Sequence, residues 1–236
     1  MAKISFDEAQ ASSSQNQNGV GFFTLVDDGD EAIVRILHDS TDDFDIVVAH
    51  DVKVGERQRK VDCLRTMRDP LDRCPFCSAG FKTTQRFFIH LLQYEKDPST
   101  GEIVVLPKIW ERSVQYATTI KNLIQEYGPL SDCIFKIRRN GAKGDMHTTY
   151  SIMFGNPSIY KEEFYPKDLS GFENYSVIGS VVLSKSVDEM KYYILNGSFD
   201  NNTSTADNQT NNSRQVDNSP PWQPPANQVQ RPQRFY

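Results

Sequence analysis

Four ligand-type side chains constrain this chain more than anything else in it. They fall as His50-x12-Cys63-x10-Cys74-x2-Cys77, the last two inside the stretch DRCPFCSAG. A C-x-x-C pair alone has two readings. As a redox couple it would open and close a disulfide, and would need its first cysteine at a helix start within a strand–helix–strand setting. Here the pair follows LRTMRDPLDR, a charged run broken by Pro70, and the flanking segments alternate strand with strand. As half of a metal site the pair needs two further ligands. One histidine and three cysteines form a closed tetrahedral set suited to one structural zinc ion. The connection between them is poor in apolar residues, so a metal would stabilise it where a core cannot. His50, Cys63, Cys74 and Cys77 are therefore the expected ligands. A zinc deaminase signature is absent, because Asp51-Val52 follow His50 and Arg73 precedes Cys74. Cys133 reads as a small buried hydrophobe, and His38, His90 and His147 have no ligand-like spacing.

Charge is unevenly spread. The chain carries a net charge of −5 over 236 residues, which taken alone argues against a nucleic-acid partner. Yet residues 53–86 hold nine bases (Lys53, Arg57, Arg59, Lys60, Arg65, Arg68, Arg73, Lys82, Arg86) against four acids (Glu56, Asp62, Asp69, Asp72). Residues 27–45 hold eight acids against Arg35 alone. A local basic surface inside an acidic protein is either a solvated loop or a phosphate-binding face. No Walker loop, dinucleotide fingerprint or nucleophile elbow occurs, so an enzyme has little support.

The pattern along the chain predicts a mainly β protein with some helix. Residues 1–19 are polar, rich in Ser, Gln and Asn, and read as a disordered arm rather than a secretory leader. GVGFFTLV, EAIVRIL and FDIVVAH read as strands. CPFCSAGFKTTQ reads as a short helix with Pro75 in its first turn. RFFIHLLQYEKDPSTGEIVVLPKIW reads as a hairpin, and ERSVQYATTIKNLIQEYG as a helix with Val114, Ala117, Ile120, Leu123 and Ile124 on one face. DCIFKIRR and MHTTYSIMF form a second hairpin, residues 155–180 a loop, and SVDEMKYYILNG a last helix. From Gly197 the composition turns to Asn, Ser, Thr, Gln and Pro, a disordered tail over residues 197–236. The ordered part, residues 20–196, suggests a five-stranded barrel of the oligonucleotide-binding (OB) kind, with the metal subdomain inserted at about residues 50–85. No apolar run approaches the roughly 18 residues that span a bilayer, so a cytoplasmic protein without a membrane partner is expected.

Strand alternation sorts the side chains by face. Phe87, Ile89 and Leu91 share one face, and Phe88, His90 and Leu92 the other. Lys108 and Trp110 share a face, followed by Arg112. Lys136 and Arg138 lie opposite Phe135, Ile137 and Arg139, and Tyr150 points with Phe154. Bases and aromatics interleave, which a single-strand binder needs: cations along the phosphates and rings under the bases. Arg35, Arg57, Arg59, Lys60, Arg65, Phe87, Phe88, Lys108, Trp110, Arg112, Lys136, Arg138 and Tyr150 are the candidate DNA contacts. The competing reading places the aromatics in a barrel core.

With these residues in view, the sequence resembles the single-stranded DNA-binding proteins of T-even-type phages. The resemblance rests on EAIVRIL with Arg35, the strand ending in His50, Cys63, the CPFC pair, Phe87-Phe88, and the turn Lys96 to Pro98, over roughly residues 20–155. It implies an OB barrel with a zinc subdomain, whose cleft holds single-stranded DNA during phage replication, recombination and repair. The four ligands match one by one, Arg35 matches a base on an early barrel strand, and Phe87 and Phe88 match an aromatic pair at the DNA cleft. The family's basic arm has no counterpart here, since residues 1–19 carry only Lys3. Its acidic tail has none either: Asp200, Asp207 and Asp217 balance Arg214, Arg231 and Arg234. The closing aromatics Phe235 and Tyr236 would dock on a replication partner such as a polymerase, helicase or primase; the competing reading is an inert solubilising tail. The alternatives are a zinc-stabilised adaptor that binds a protein through its tail, and a CPFC thiol-disulfide oxidoreductase.

Overall fold

The computed structural model describes residues 20–173 and 175–199. These belong to one unit of the chain, Met1–Asp200, while the remainder, Asn201–Tyr236, lies outside the described residues. So do the arm and most of the tail, with Phe235 and Tyr236.

A single eight-stranded sheet organises the unit. Its strands are β1 (Gly21–Phe22), β2 (Glu31–Ile36), β3 (Asp45–Val54), β4 (Arg57–Asp62), β5 (Thr83–Lys96), β6 (Ile103–Ser113), β7 (Phe135–Asn140) and β8 (Thr149–Phe154). The main path runs β1-β6-β5-β2-β7-β8, with β3 paired to both β4 and β5. Among the described residues three α-helices punctuate it: α1 (Pro75–Ser78), α2 (Tyr116–Tyr127) and α3 (Val187–Asn196). Among the described residues no helix is long and apolar enough to cross a membrane.

The long strand β5 is the centre of the sheet. It pairs with β6 from Arg86↔Ser113 to its end at Lys96↔Ile103. On its other edge it gives its first half to β3 (Thr83↔His50 to Phe88↔Asp45) and its second half to β2 (Leu91↔Ile36 to Tyr94↔Ile33). Its two faces enter different cores. Phe87, Ile89 and Leu91 join Val34, Ile36, Trp110, Phe135 and Ile137. Phe88 joins Val47, Ala49, Ile109, Val177 and Val182, and Leu92 packs with Tyr94 and Ile134. The period of two in RFFIHLL is real, but both faces are covered.

Helix α2 closes one end of the largest core through Ile120, and Gly128 (φ 78°) turns the chain out of it. It starts at Tyr116, because residues 111–113 continue β6. The sheet curls far enough for β8 to meet β6 without pairing: the Tyr150 and Trp110 rings lie 5.2 Å apart, edge to face.

Two parts of the chain differ from the expectation. The charged stretch RQRKVD is a strand, β4, held by β3 from Ala49↔Asp62 to Val54↔Arg57. Its outer edge takes Leu183, which donates its N–H to Lys60 and accepts one from Asp62. The packed chain also continues past Asn196, because Phe199 is buried against Tyr193 at a ring separation of 4.6 Å.

Candidate functional site

The four predicted ligands converge. His50 ends the part of β3 that pairs with β5, and Cys63 follows β4 directly. Cys74 caps the N-terminus of α1, and Cys77 lies in its only turn. The N–H of Cys63 is held by the Val48 carbonyl at 2.9 Å, which brings the two strand ligands side by side. The four ligand atoms all lie within 4.8 Å of one another. His50 Nε2 is 3.4 Å from Cys74 Sγ and 3.7 Å from Cys77 Sγ, and Cys63 Sγ is 3.6 Å from Cys77 Sγ.

These distances fit a bound ion. Metal–sulfur bonds of about 2.3 Å and metal–nitrogen bonds of about 2.0 Å imply tetrahedral edges of roughly 3.5–3.8 Å. His50 Nδ1 faces the Lys82 carbonyl at 3.2 Å; donating its proton there leaves Nε2 free to ligate. Burial lowers the pKa of His50, so the ring is held neutral, as a ligand must be. Burial, with the neighbouring sulfurs adding to it, pushes the Cys63 thiol up to about 12. Burial would raise Cys74 too, but the backbone N–H groups of Cys77, Leu64 and Phe76 outweigh it and hold that thiol low. Three sulfurs this close cannot all ionise without a cation between them.

The surroundings explain why the site sits here. Val52, Val61, Phe76, Met190, Tyr193 and Phe199 form a small core against Cys74. Helix α3, starting from the capping box of Ser186 and Glu189, lays Met190 and Tyr193 on this core. The Tyr193 hydroxyl donates to the Lys53 carbonyl at 2.7 Å and accepts the Lys53 N–H at 3.0 Å, closing the β3 edge beyond the reach of β5. The sequence pattern shows a helix here but not that it covers the metal cluster.

The candidate DNA contacts scatter. Arg35, Phe87, Phe88 and Trp110 are only 2%, 0%, 1% and 1% exposed, so they cannot offer an open surface to a strand. Arg35 instead donates to the Tyr94 hydroxyl (3.1 Å), the Ser131 carbonyl (2.7 Å) and the Tyr165 carbonyl (2.8 Å). It ties two loops to β2, and each of its three nitrogens donates a hydrogen bond, which offsets the cost of burying the charge. Phe87 and Trp110 fill the main core, as the competing reading expected.

Other candidates gather in three places. Arg59, Lys60 and Phe88 line one cleft of about 260 Å³ together with Phe22, Gln58, Glu111 and Val181. Phe88 forms its floor, while Phe22 stands 45% exposed at it. Lys60 Nζ lies 3.1 Å from Glu111 and 3.7 Å from Asp51. In the second place, the Arg112 guanidinium lies 4.2 Å from the Tyr150 ring centre, 4.7 Å from Trp110 and 5.7 Å from Tyr116. In the third, Lys136 and Arg138 share Glu31 at 2.9 and 3.9 Å. Arg57 is exposed and Lys108 half-buried on their strands. Arg65 borders a pocket beside the metal cluster with Leu71, Cys77, Phe81 and Lys82. Phe22 and Glu111 were missed: FF in GVGFFTLV must place one ring outward, but nothing in the sequence says which cleft that ring meets. No family model matches the chain, and no curated protein is significantly similar to it.

Proposed function

We propose that this protein binds single-stranded DNA without sequence preference and without catalysis, on an OB barrel stiffened by one structural zinc ion. Five strands support the barrel reading. β2, β5 and β6 form a meander, α2 follows the third strand, and β7 returns to pair with β2 before β8. That is a Greek-key path, partly open where β8 meets β6 through rings alone. In OB barrels the second and third strands and the loop between the first two carry the ligand. Here that loop is the connection from β2 to β5, and it contains the whole His/Cys cluster.

The cleft of Arg59, Lys60, Phe22 and Phe88 carries the reading. It lies where the metal module meets β5 and β6, with cations on one wall and rings beneath. Cations there would neutralise phosphates and the exposed Phe22 ring would stack on a base, while buried Phe88 only backs the cleft. A bound zinc would supply no chemistry, only a closed tetrahedral anchor for β3, β4 and α1. A place in phage replication, recombination and repair rests on the sequence resemblance, as does docking of the tail on a replication partner.

The test is a titration of the full chain with a labelled oligo-dT and with the matching duplex. Affinity for the single strand should fall by tenfold or more between about 50 and 200 mM salt, since each neutralised phosphate contributes a slope of about −0.7. Affinity unchanged by salt, or equal for duplex, sinks the proposal.

A further inference from the structure

Glu111 is the odd member of the cleft. A face meant for phosphates should not carry a carboxylate, yet Glu111 sits among its bases. It lies opposite Phe88 in the β5–β6 ladder, so it rises directly beside the aromatic floor. Its Oε1 is 3.1 Å from Lys60 Nζ and 3.3 Å from Arg86 Nε. The Lys60 and Glu111 side chains are only 23% and 26% exposed, so this contact is shielded from the solvent that weakens surface pairs.

One carboxylate serves two cations, and serves one of them badly. Arg86 Nε is buried and makes no hydrogen bond among the described residues, although Glu111 stands within ion-pair distance. Asp51 does not relieve it, because that carboxylate faces Lys60 at 3.7 Å. The Arg86 side chain is nevertheless 37% exposed, so its terminal N–H groups can donate charge-assisted hydrogen bonds to a further anionic oxygen. A strand phosphodiester carries the same single charge over two oxygens as the Glu111 carboxylate, so it can take the same place.

We infer that Glu111 is a built-in stand-in for a strand phosphate. It neutralises Lys60 and Arg86 in the free protein and is displaced from them when a strand enters. This rests on the single-stranded DNA reading of the same cleft. The carboxylate keeps Lys60, which lines the cleft, and Arg86 beside it from repelling each other, and an incoming phosphate must compete with it. It therefore sets the affinity of the cleft below what its bases alone would give.

The experiment compares wild type, Glu111→Gln and Glu102→Gln by titration with labelled oligo-dT across a salt series. Glu102 is an exposed acid just after the β5–β6 turn, and its replacement makes the same change in net charge. Glu111→Gln should bind about tenfold tighter at moderate salt, the scale of one close charge pair. Its log–log salt slope should steepen by about 0.7 for each further phosphate engaged. Glu102→Gln should match wild type. Glu111→Ala, with thermal melts of each variant, separates lost charge from lost folding and should show the same gain. Wild-type binding with no gain in either Glu111 variant overturns the inference and leaves the DNA reading standing. A wild type with no affinity for oligo-dT overturns that reading, and the inference with it.

Discussion

The sheet interior and the metal module are held by opposite means. The interior buries Phe87, Ile89, Leu91, Trp110, Phe135 and Ile137 in one continuous core, closed by Ile120 of α2. The module has a short helix of four residues, one hairpin and a charged connection. Its own core is small and made partly of the ligands themselves, with Cys74 among the buried residues and Cys63 and Cys77 at the margin. Apolar burial scales with area, and the module has little area to bury. Four converging ligands could supply through a metal what side-chain packing cannot. With an ion bound, one protein would combine a hydrophobic fold with a coordination fold, and the two should fail under different insults.

Metal removal should separate them most widely. Structural zinc in isolated fingers stabilises by an apparent figure of about 10–16 kcal/mol, so loss of the ion should unfold the module outright. Freshly purified protein should contain about one zinc per chain. After chelation, amide exchange should rise in β4, α1 and α3 while the β5–β6 and β7–β8 ladders stay protected. An unchanged exchange map, or purified protein without metal, would refute this division.

Much of that division was legible in the sequence, and the reasons differ by element. All four members of the His/Cys cluster were readable from their spacing, because a histidine and three cysteines set among strands match the closed tetrahedral set that zinc prefers. Helix α3 was readable from SVDEMKYYILNG through its capping residue and Gly197, which adopts the left-handed conformation at φ 71°. Strand β4 was not readable. In RQRKVD only Val61 is buried, so there is no alternation to detect, and the strand exists because β3 and Leu183 satisfy its backbone. Arg35, Phe87, Phe88 and Trp110 fail for another reason. Alternation shows which residues share a face, but not how many layers lie on it. Segment 175–183 covers the Phe88 face through Tyr175, Val177, Val181 and Val182. The loop that accepts Arg35 comes from 130 positions further on, at Tyr165. Such distant pairings leave no local signature.

The sheet has an acid-sensitive group of its own, at His38. Its ring is 1% exposed, with Nδ1 facing the Asp43 carbonyl at 2.9 Å and Nε2 accepting the His90 N–H at 3.1 Å. Both nitrogens are used by the neutral form. Burial first, and then the nearby His90 ring, lower its pKa from 6.5 to about 4, against the pull of Asp43 and Asp45. The unfolded chain takes up a proton below about 6.5 that the folded chain refuses until about 4. The stabilisation is therefore complete above that upper value and fades as pH falls to the lower one, by about 3 kcal/mol at most. His38→Gln carries no such proton. The gap in melting temperature between wild type and His38→Gln should narrow across that window with the metal kept bound. A constant gap would show that His38 is not the acid-sensitive group.

The smallest effect tests the seam between the two regions. At Lys53 the strand β3 has left β5 behind, because β5 begins opposite His50. The Tyr193 hydroxyl takes the place of a neighbouring strand there, donating to the Lys53 carbonyl and accepting its N–H. Tyr193→Phe keeps the ring among Phe76, Phe81 and Phe199 and removes only the hydroxyl. Lys53 is an exposed residue, so water can replace part of what is lost, and the cost should be about 1 kcal/mol. The telling signal is local: the Lys53 amide should exchange faster while the metal content and the β5–β6 ladder are unchanged. If Lys53 keeps its protection, α3 is held to β3 by the aromatic contacts alone. The seam would then be an apolar patch of the module and not an extension of the sheet's own hydrogen bonding.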